Sequence, residues 1–251
     1  MPIVTREVAP HVTLITLDNQ AKRNAMSREM LGELAALWDT LDGSPCRCVI
    51  VTGAGEKGFC AGADIGGDLS ASEETARTVN RALLKTSTFS KPIVAAVNGD
   101  CAGGGVELLL STDIRAAAAH ARFGLPEVRY AIYPFGGATV KLMHQIGYVH
   151  AMDLLLTGRL VDATYAERIG LINQIVPADR LMDWAVEKAQ QITANSPAAV
   201  QAVKTQISAS IADYALSRED MEQELGDRVR ASVDFAEGVA AFREKRQAKY
   251  V

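Results

Sequence analysis

Apolar and polar residues alternate from Val4 to Glu7 and again from Val12 to Leu17, on either side of Ala9 and Pro10, which predicts two short strands. The period then changes. After the loop NQAKRNAM, Ser27 is placed to cap a helix running to about Leu41, with Met30, Leu31, Leu34, Leu37, Trp38 and Leu41 on one face. Gly43 and Pro45 stop it. Cys48 to Thr52 is an apolar run of strand length, and the glycine-rich stretch GAGEKGFCAGADIGG follows. A helix is expected from Ser72 to about Phe89, ended by Lys91-Pro92, and a strand over Ile93 to Val97. Ile114 to Ala118 reads as another strand, RFGLPEVRYAIYPFGG as an irregular segment, and Thr139 to Ile146 and Val149 to Leu156 as helices. Asp162 to Ile169 is a short helix and Leu171 to Val176 a strand. From there the pattern is helical: Arg180 to Asn195, Pro197 to Ala215, Arg218 to Ala231 and Asp234 to Lys249.

Short apolar strands alternating with helices predict an α/β fold around a mostly parallel sheet, residues 1–195, with a helical region over 196–251. No low-complexity linker divides the two. The most concentrated stretch is Asn98 to Asp113, NGDCAGGGVELLLSTD, which reads as a strand end, a tight turn and a helix opened by three glycines. Each glycine costs a helix roughly 1 kcal/mol against alanine, so helix propensity does not explain three in a row. Without Cβ atoms, the N–H groups of that first turn can come against a ligand oxygen, where the positive dipole end favours negative charge. Glu107 stands one step further into the same helix. The plainer alternative is a packed turn with Glu107 in solvent.

Composition narrows the function classes. In 251 residues, hydrophobic side chains make up 48% and charged ones 22%, as in a soluble globular protein. A net charge of -4 gives no electrostatic footprint for nucleic acid or an anionic membrane. No leader-like apolar stretch or membrane span is visible, so a cytoplasmic protein is expected. Cys46, Cys48, Cys60 and Cys101 form no C-x-x-C pair and read as reduced, buried thiols. The four histidines make no zinc-binding pattern.

Two motifs mislead. Gly53 to Gly58 fits the dinucleotide fingerprint, but that loop must open a helix, and Gly62, Gly66 and Gly67 follow at once. Gly58 to Gly62 resembles a nucleophile elbow with Cys60 in the serine position, yet a loop separates it from the preceding strand, so Cys60 reads as a small apolar residue. More telling is a pairing. Ala61 to Gly67 and Asn98 to Gly105 each follow a short buried strand, so a parallel sheet brings both to one edge, where two backbone N–H groups can face one oxyanion. Glu127, held in FGLPEV behind Pro126, can join Glu107 as a carboxylate pair that binds water or moves a proton. Against that stands the ordinary state of a single glutamate on a surface loop.

Six motifs in order, KRNAM (22–26), VIVTGAGEKGFCAGADI (49–65), KPIVAAVNGDCAGGGVELLLSTDIRAA (91–117), FGLPEV (123–128), LLLTGRLVDATYAERIGLINQIVP (154–177) and EGVAAFREKR (237–246), resemble the crotonase superfamily, and within it the enoyl-CoA hydratase/isomerase group. The resemblance covers nearly the whole chain. It implies a spiral of β-β-α turns with a C-terminal helical trimerisation region, assembled as a trimer or a dimer of trimers. It places oxyanion donors on the N–H groups of Ala63 and Gly104, and the two acids of the hydratases on Glu107 and Glu127. Coenzyme A, entering as part of the substrate and with no separate cofactor or metal, is expected along Lys22, Arg23, Ala25, Ala61, Asp64 and Ile65. Phe242 and Lys245 of a neighbouring subunit are expected to close over it. Glu107 would take a proton from water attacking the β-carbon of a 2-enoyl thioester, and Glu127 would protonate the α-carbon. The chain departs from the family where a glycine-rich I-P-G-A-G-G-T is usual: Tyr133 and Phe135 stand in Tyr133 to Thr139, with Tyr130 nearby, and these line the expected acyl pocket. Gly66 stands where a lysine often follows Ala-Asp-Ile. Competing expectations are another reaction on the same enolate, double-bond isomerisation or thioester hydrolysis, and a non-catalytic acyl-CoA or RNA-binding role.

Overall fold

The computed structural model describes residues 2–64 and 72–250. The chain opens with β1 (Ile3–Ala9) and β2 (Val12–Leu17), then α1 (Arg28–Asp42), β3 (Cys48–Gly53) and β4 (Gly58–Cys60). α2 (Glu73–Ala82) leads to β5 (Ile93–Val97), β6 (Asp100–Ala102), α3 (Gly104–Leu109), β7 (Ile114–Ala118) and β8 (Arg122–Gly124). A 3-10 turn at Pro126–Tyr130 precedes α4 (Ala138–Ile146), α5 (Tyr148–Thr157), β9 (Leu160–Asp162), α6 (Ala163–Arg168) and β10 (Gln174–Val176). Four helices close the chain: α7 (Leu181–Thr193), α8 (Pro197–Ser217), α9 (Glu219–Arg230) and α10 (Val233–Glu244).

Strands sort into two sheets in a repeating way. The larger sheet has the order β1-β2-β3-β5-β7-β10 and is parallel except for the β1-β2 hairpin. The smaller has the order β4-β6-β8-β9, parallel through β8. Each of β3-β4, β5-β6 and β7-β8 therefore sends its first strand to one sheet and its second to the other. Helices α2 and α3 follow two of these steps. That is the β-β-α spiral expected from the motifs, and its central strands β3 and β5 are buried throughout because both faces of the larger sheet are covered there.

One large core fills the space enclosed by the sheets, α1 and α3 to α6, with Trp38, Phe59, Phe89 and Phe123 fully buried. A second lies on the other face of the larger sheet, where Ala185 and Ala189 of α7 pack on β3, β5 and β7. Ser27 caps α1 as expected, its hydroxyl accepting from Met30 N–H at 3.2 Å.

Several boundaries differ from the sequence reading. α2 ends at Ala82, short of Phe89, because Leu84 turns into the left-handed region (φ 47°) and its carbonyl accepts from buried Lys141. The segment expected to be irregular from 122 contains β8 and the 3-10 turn, since Phe123 is needed in the core and Pro126 suits a first helical turn. β10 is only three residues long, and α10 stops at Glu244, where Lys245 takes φ 55° and Arg246 turns back onto Glu237. Among the described residues no helix is long and apolar enough to cross a membrane, and no group of three or more His, Cys, Asp or Glu is placed to hold a metal.

Candidate active site

The two glycine-rich stretches meet where β4 pairs with β6. Gly62, at φ 99°, leaves only 3.2 Å between the place of a Cβ and Gly104 N, and a Cβ on Gly105 would stand 2.2 Å from the Cys60 carbonyl oxygen. No side chain fits either position, which is the physical reason for glycine there. The approach sets two donors side by side: the place of a Gly104 Cβ lies 3.4 Å from Ala63 N. Neither the Ala63 nor the Gly104 N–H donates to an acceptor among the described residues. Gly104 is buried and opens α3, Ala63 lies at the surface beside it, and two neighbouring N–H groups left open in this way can receive one anionic oxygen.

Asn98 ties the β5 end to the β3 end, accepting from Gly53 N–H at 3.0 Å and donating to the Gly53 and Gly55 carbonyls. Segment 23–26 runs alongside 61–64: Ala61 N–H donates to Arg23 O, Met26 N–H to Gly62 O and Asp64 N–H to Met26 O. Lys22 Nζ reaches Asp64 Oδ2 at 2.6 Å. The structure thus brings Lys22, Ala25, Ala61 and Asp64 together, while Ile65 lies outside the described residues. Arg23 joins them only by its backbone, since its guanidinium binds Asp100 at 3.2 Å, shared with Arg122. A cleft lined by Arg23, Lys57, Asp100, His120 and Arg122 contains neither Glu107 nor Glu127; in it Arg23 and Arg122 pair with Asp100, and the His120 ring lies against the Glu56 and Asn98 carbonyls.

Glu107 is buried, which overturns the solvated alternative; it is 5% exposed. α3 turns it toward the α4 N-terminus, where Ala138 N–H donates to Oε1 at 3.2 Å and Gly136 N–H also bonds it. Gly136 has no side chain because a Cβ would stand 2.3 Å from Glu107 Oε2. Glu127 comes from the 3-10 turn and lays Oε1 2.9 Å from the place of a Gly103 Cβ, one residue before the Gly104 donor. Its Oε2 is shut from solvent with no hydrogen-bond partner among the described residues. Burial pushes the Glu107 carboxyl up to about 7, against the opposing pull of the two N–H groups and Lys85. Burial, and then the Glu107 charge, pushes Glu127 up to about 8. The two acids titrate as a pair, and near neutral pH the pair carries about one proton. One ionised and one protonated carboxyl beside two free N–H donors can move a proton each way while an oxyanion is held.

The acyl-pocket residues divide. Tyr133 and Phe135 pack edge to face, centroids 5.1 Å apart, and lead directly into the Gly136 contact with Glu107. Burial raises the Tyr133 hydroxyl above its usual range, and it bonds Thr139. Phe135 projects onto α9, where a Cβ on Gly226 would stand 1.9 Å from its Cζ, and Arg230 lies 4.5 Å over its ring. Tyr130 instead packs edge to face with Phe242 of α10, 5.1 Å away in the same chain. Within this chain α10 folds back on the 3-10 turn, and Lys245 is its C-cap.

Cys60 is fully buried and burial pushes its thiol up to about 12, so it stays protonated, and no helix opens at Gly53 to Gly58. Residues that the sequence reading missed are charged and internal: Lys85, Lys141 and Glu222 are all under 5% exposed. Glu222 had a signal, an acid at the helical spacing of Gly226 and Val229 on the inward side of α9.

Comparison with known proteins agrees with this geometry. The sequence profile described as enoyl-CoA hydratase/isomerase matches residues 7–251. Enoyl-CoA hydratase EchA19 of Mycobacterium tuberculosis is 40% identical over 244 residues, 94% of this chain and 91% of its own. The mevalonyl-coenzyme A hydratase sidH of Aspergillus fumigatus is 38% identical, covering 96% of this chain and 92% of its own. The crystal structure of an enoyl-CoA hydratase/isomerase from Pseudoalteromonas atlantica superposes with a TM-score of 0.91 at 28% identity over the full length of both chains. With a profile match from the first strand to the C-terminus and relatives this similar over their whole length, the chain belongs to the enoyl-CoA hydratase/isomerase family of the crotonase superfamily.

Proposed function

We propose that the protein hydrates the 2,3 double bond of a 2-enoyl-CoA thioester to give a 3-hydroxyacyl-CoA. The observation that carries this reading is the placement of buried Glu107 and half-buried Glu127, whose Oε2 is shut from solvent, beside the N–H groups of Ala63 and Gly104, which donate to no acceptor among the described residues. The thioester carbonyl accepts from both N–H groups. Water lies between the carboxyls. Ionised Glu107 takes one water proton as the oxygen bonds to the β-carbon, and the π electrons move onto the carbonyl oxygen to form an enolate. The enolate collapses as protonated Glu127 gives its proton to the α-carbon, so water is added in full. The pair then exchanges its proton and is reset. A pair that keeps one carboxyl ionised and the other protonated supplies both the base and the donor at neutral pH. Each N–H donor contributes by holding charge that appears only in the transition state, an effect of about 3 kcal/mol per donor in other enzymes.

Coenzyme A enters as the substrate's handle, with Lys22, Ala25, Ala61 and Asp64 along its path. The acyl group is bounded by Tyr133 and Phe135, which lie close to the carboxylate pair and differ from the usual glycine-rich segment. A trimer built through the C-terminal helices fits the exposed apolar side chains Val203, Ile207 and Leu216 of α8. The deciding experiment is incubation with crotonyl-CoA and with longer and branched enoyl-CoAs. Loss of enoyl thioester absorbance with 3-hydroxyacyl-CoA detected by mass spectrometry is expected. A folded protein inactive on every member of the panel refutes the proposal.

A further inference from the structure

Helix α9 carries a buried acid with no role in the chemistry above. Glu222 Oε2 lies 2.8 Å from Lys85 Nζ, and both side chains are about 95% enclosed. Its Oε1 accepts from the Thr139 hydroxyl. Thr139 is the second residue of α4, directly after Ala138, whose N–H holds Glu107. The Lys85 stem lies across Gly137, 3.3 Å from where a Cβ would stand. Segment 136–139 is thus gripped from one side by Glu107 and from the other by Lys85 and Glu222. α9 is itself anchored to α2, where Asn80 donates to Glu219 at 2.6 Å. A buried ion pair generally returns less than its desolvation costs, so its presence here calls for a use other than stability.

We propose that Glu222 is a positioning residue for Glu107: through Thr139 and Lys85 it fixes the first turn of α4, whose N–H groups hold the catalytic carboxylate. Its kinetic consequence rests on the hydration reading above. The C-terminal helical region is by this account part of the active-site scaffold, contributing one side chain to the support of a group 115 positions earlier in sequence. The charged and titratable groups around Glu107 are Glu127 from the 3-10 turn, Lys85 after α2, Lys141 from α4, Tyr133 and Glu222 itself. Of these, Lys85 favours the ionised form of Glu107 and Glu222 opposes it.

Thr139→Val removes the tether and leaves every charge in place, whereas Glu222→Gln keeps an acceptor for Thr139 and removes the charge. For Thr139→Val, kcat for enoyl-CoA hydration is expected to fall about tenfold with KM within about twofold, and Thr139→Ser to restore it. For Glu222→Gln, Lys85 is left unopposed, so the acid limb of kcat against pH moves to lower pH by about half a unit or more. Thr139→Val with wild-type kcat overturns the proposal, and so does a folded Glu222→Gln protein with an unmoved limb. Should Glu222→Gln fail to fold, the Thr139 pair decides alone. If the wild-type protein hydrates no enoyl thioester, the hydration reading has failed and this one has not. Infrared titration of the Glu107 carboxyl, identified against Glu107→Gln, then decides. Displacement of its midpoint in Thr139→Val supports the assignment, and an unchanged midpoint overturns it.

Discussion

Replacing Glu107 by Gln is expected to make the protein more stable at alkaline pH while abolishing most of its activity. Gln keeps an oxygen for the Ala138 and Gly136 N–H groups, so the perturbation is chiefly the loss of a buried charge. In the folded protein the Glu107 carboxyl titrates near 7, against 4.5 for the free side chain. At about 1.4 kcal/mol per tenfold, that difference corresponds to ~3 kcal/mol. Because the folded value is the higher one, the contribution to stability is fully present below about pH 4.5 and lost as pH rises through about 7. The wild-type protein therefore gives up ~3 kcal/mol between mildly acidic and alkaline conditions, and the Gln variant does not. For a chain of this size each kcal/mol moves Tm by about 2–4 °C, so the variant should melt about 6–12 °C above wild type at about pH 8.5 and no higher at about pH 4.5. Removing the Glu107 charge also relieves Glu127, which widens the gap. Thermal denaturation at fixed protein concentration across the pH range measures it, alongside kcat, which should fall at least about 100-fold. A Tm difference that does not change with pH refutes the reasoning, whatever happens to kcat.

Three further outcomes are expected. Gly136→Ala, whose Cβ would meet Glu107 Oε2 at 2.3 Å and Leu83 Cδ1 at 2.4 Å, should cost about 1–3 kcal/mol in urea denaturation and lower kcat; unaltered stability would show that the contact relaxes freely. Gly226→Ala should destabilise by a similar amount through the Phe135 ring 1.9 Å away, and that cost should vanish in a Phe135→Ala background; additive effects in the double-mutant cycle would disprove the coupling. All four thiols are buried and those of Cys48, Cys60 and Cys101 are pushed well up, so intact-mass analysis after iodoacetamide at about pH 8 should show no alkylation until the protein is unfolded.

Much of the site was legible because its requirements are local. Gly103 adopts φ 54°, a conformation costly for a side-chain-bearing residue, and Gly105 admits only backbone, so the glycine run could be read as a close approach from sequence. Glu107 follows three residues into the same helix, and Pro126 fixes Glu127 in a short turn, so both acids carried a local mark. Lys85, Lys141 and Glu222 carried almost none. Nothing within a few residues of Lys141 shows that its ammonium will be met by the Leu83 and Leu84 carbonyls and Ser111, or that burial will bring it down to about 7. The C-terminal helix was legible as a helix but not as a lid on Tyr130, because Phe242 and Tyr130 are far apart in sequence and their contact depends on α10 folding back.

The sequence alone determined the alternation of strands and helices, the caps, and the places where only glycine serves, since each follows from the conformational preferences of a few consecutive residues. It also determined which family the motifs resemble. Tertiary structure decided the protonation of the pair. Whether Glu107 and Glu127 are ordinary surface acids or share a proton near neutral pH depends on burial and on each other's charge, and both are supplied by segments that meet only when the spiral closes. The same holds for the link from α9 through Glu222 and Thr139 to Glu107: distance in space, not in sequence, sets an electrostatic energy, and only the fold fixes those distances.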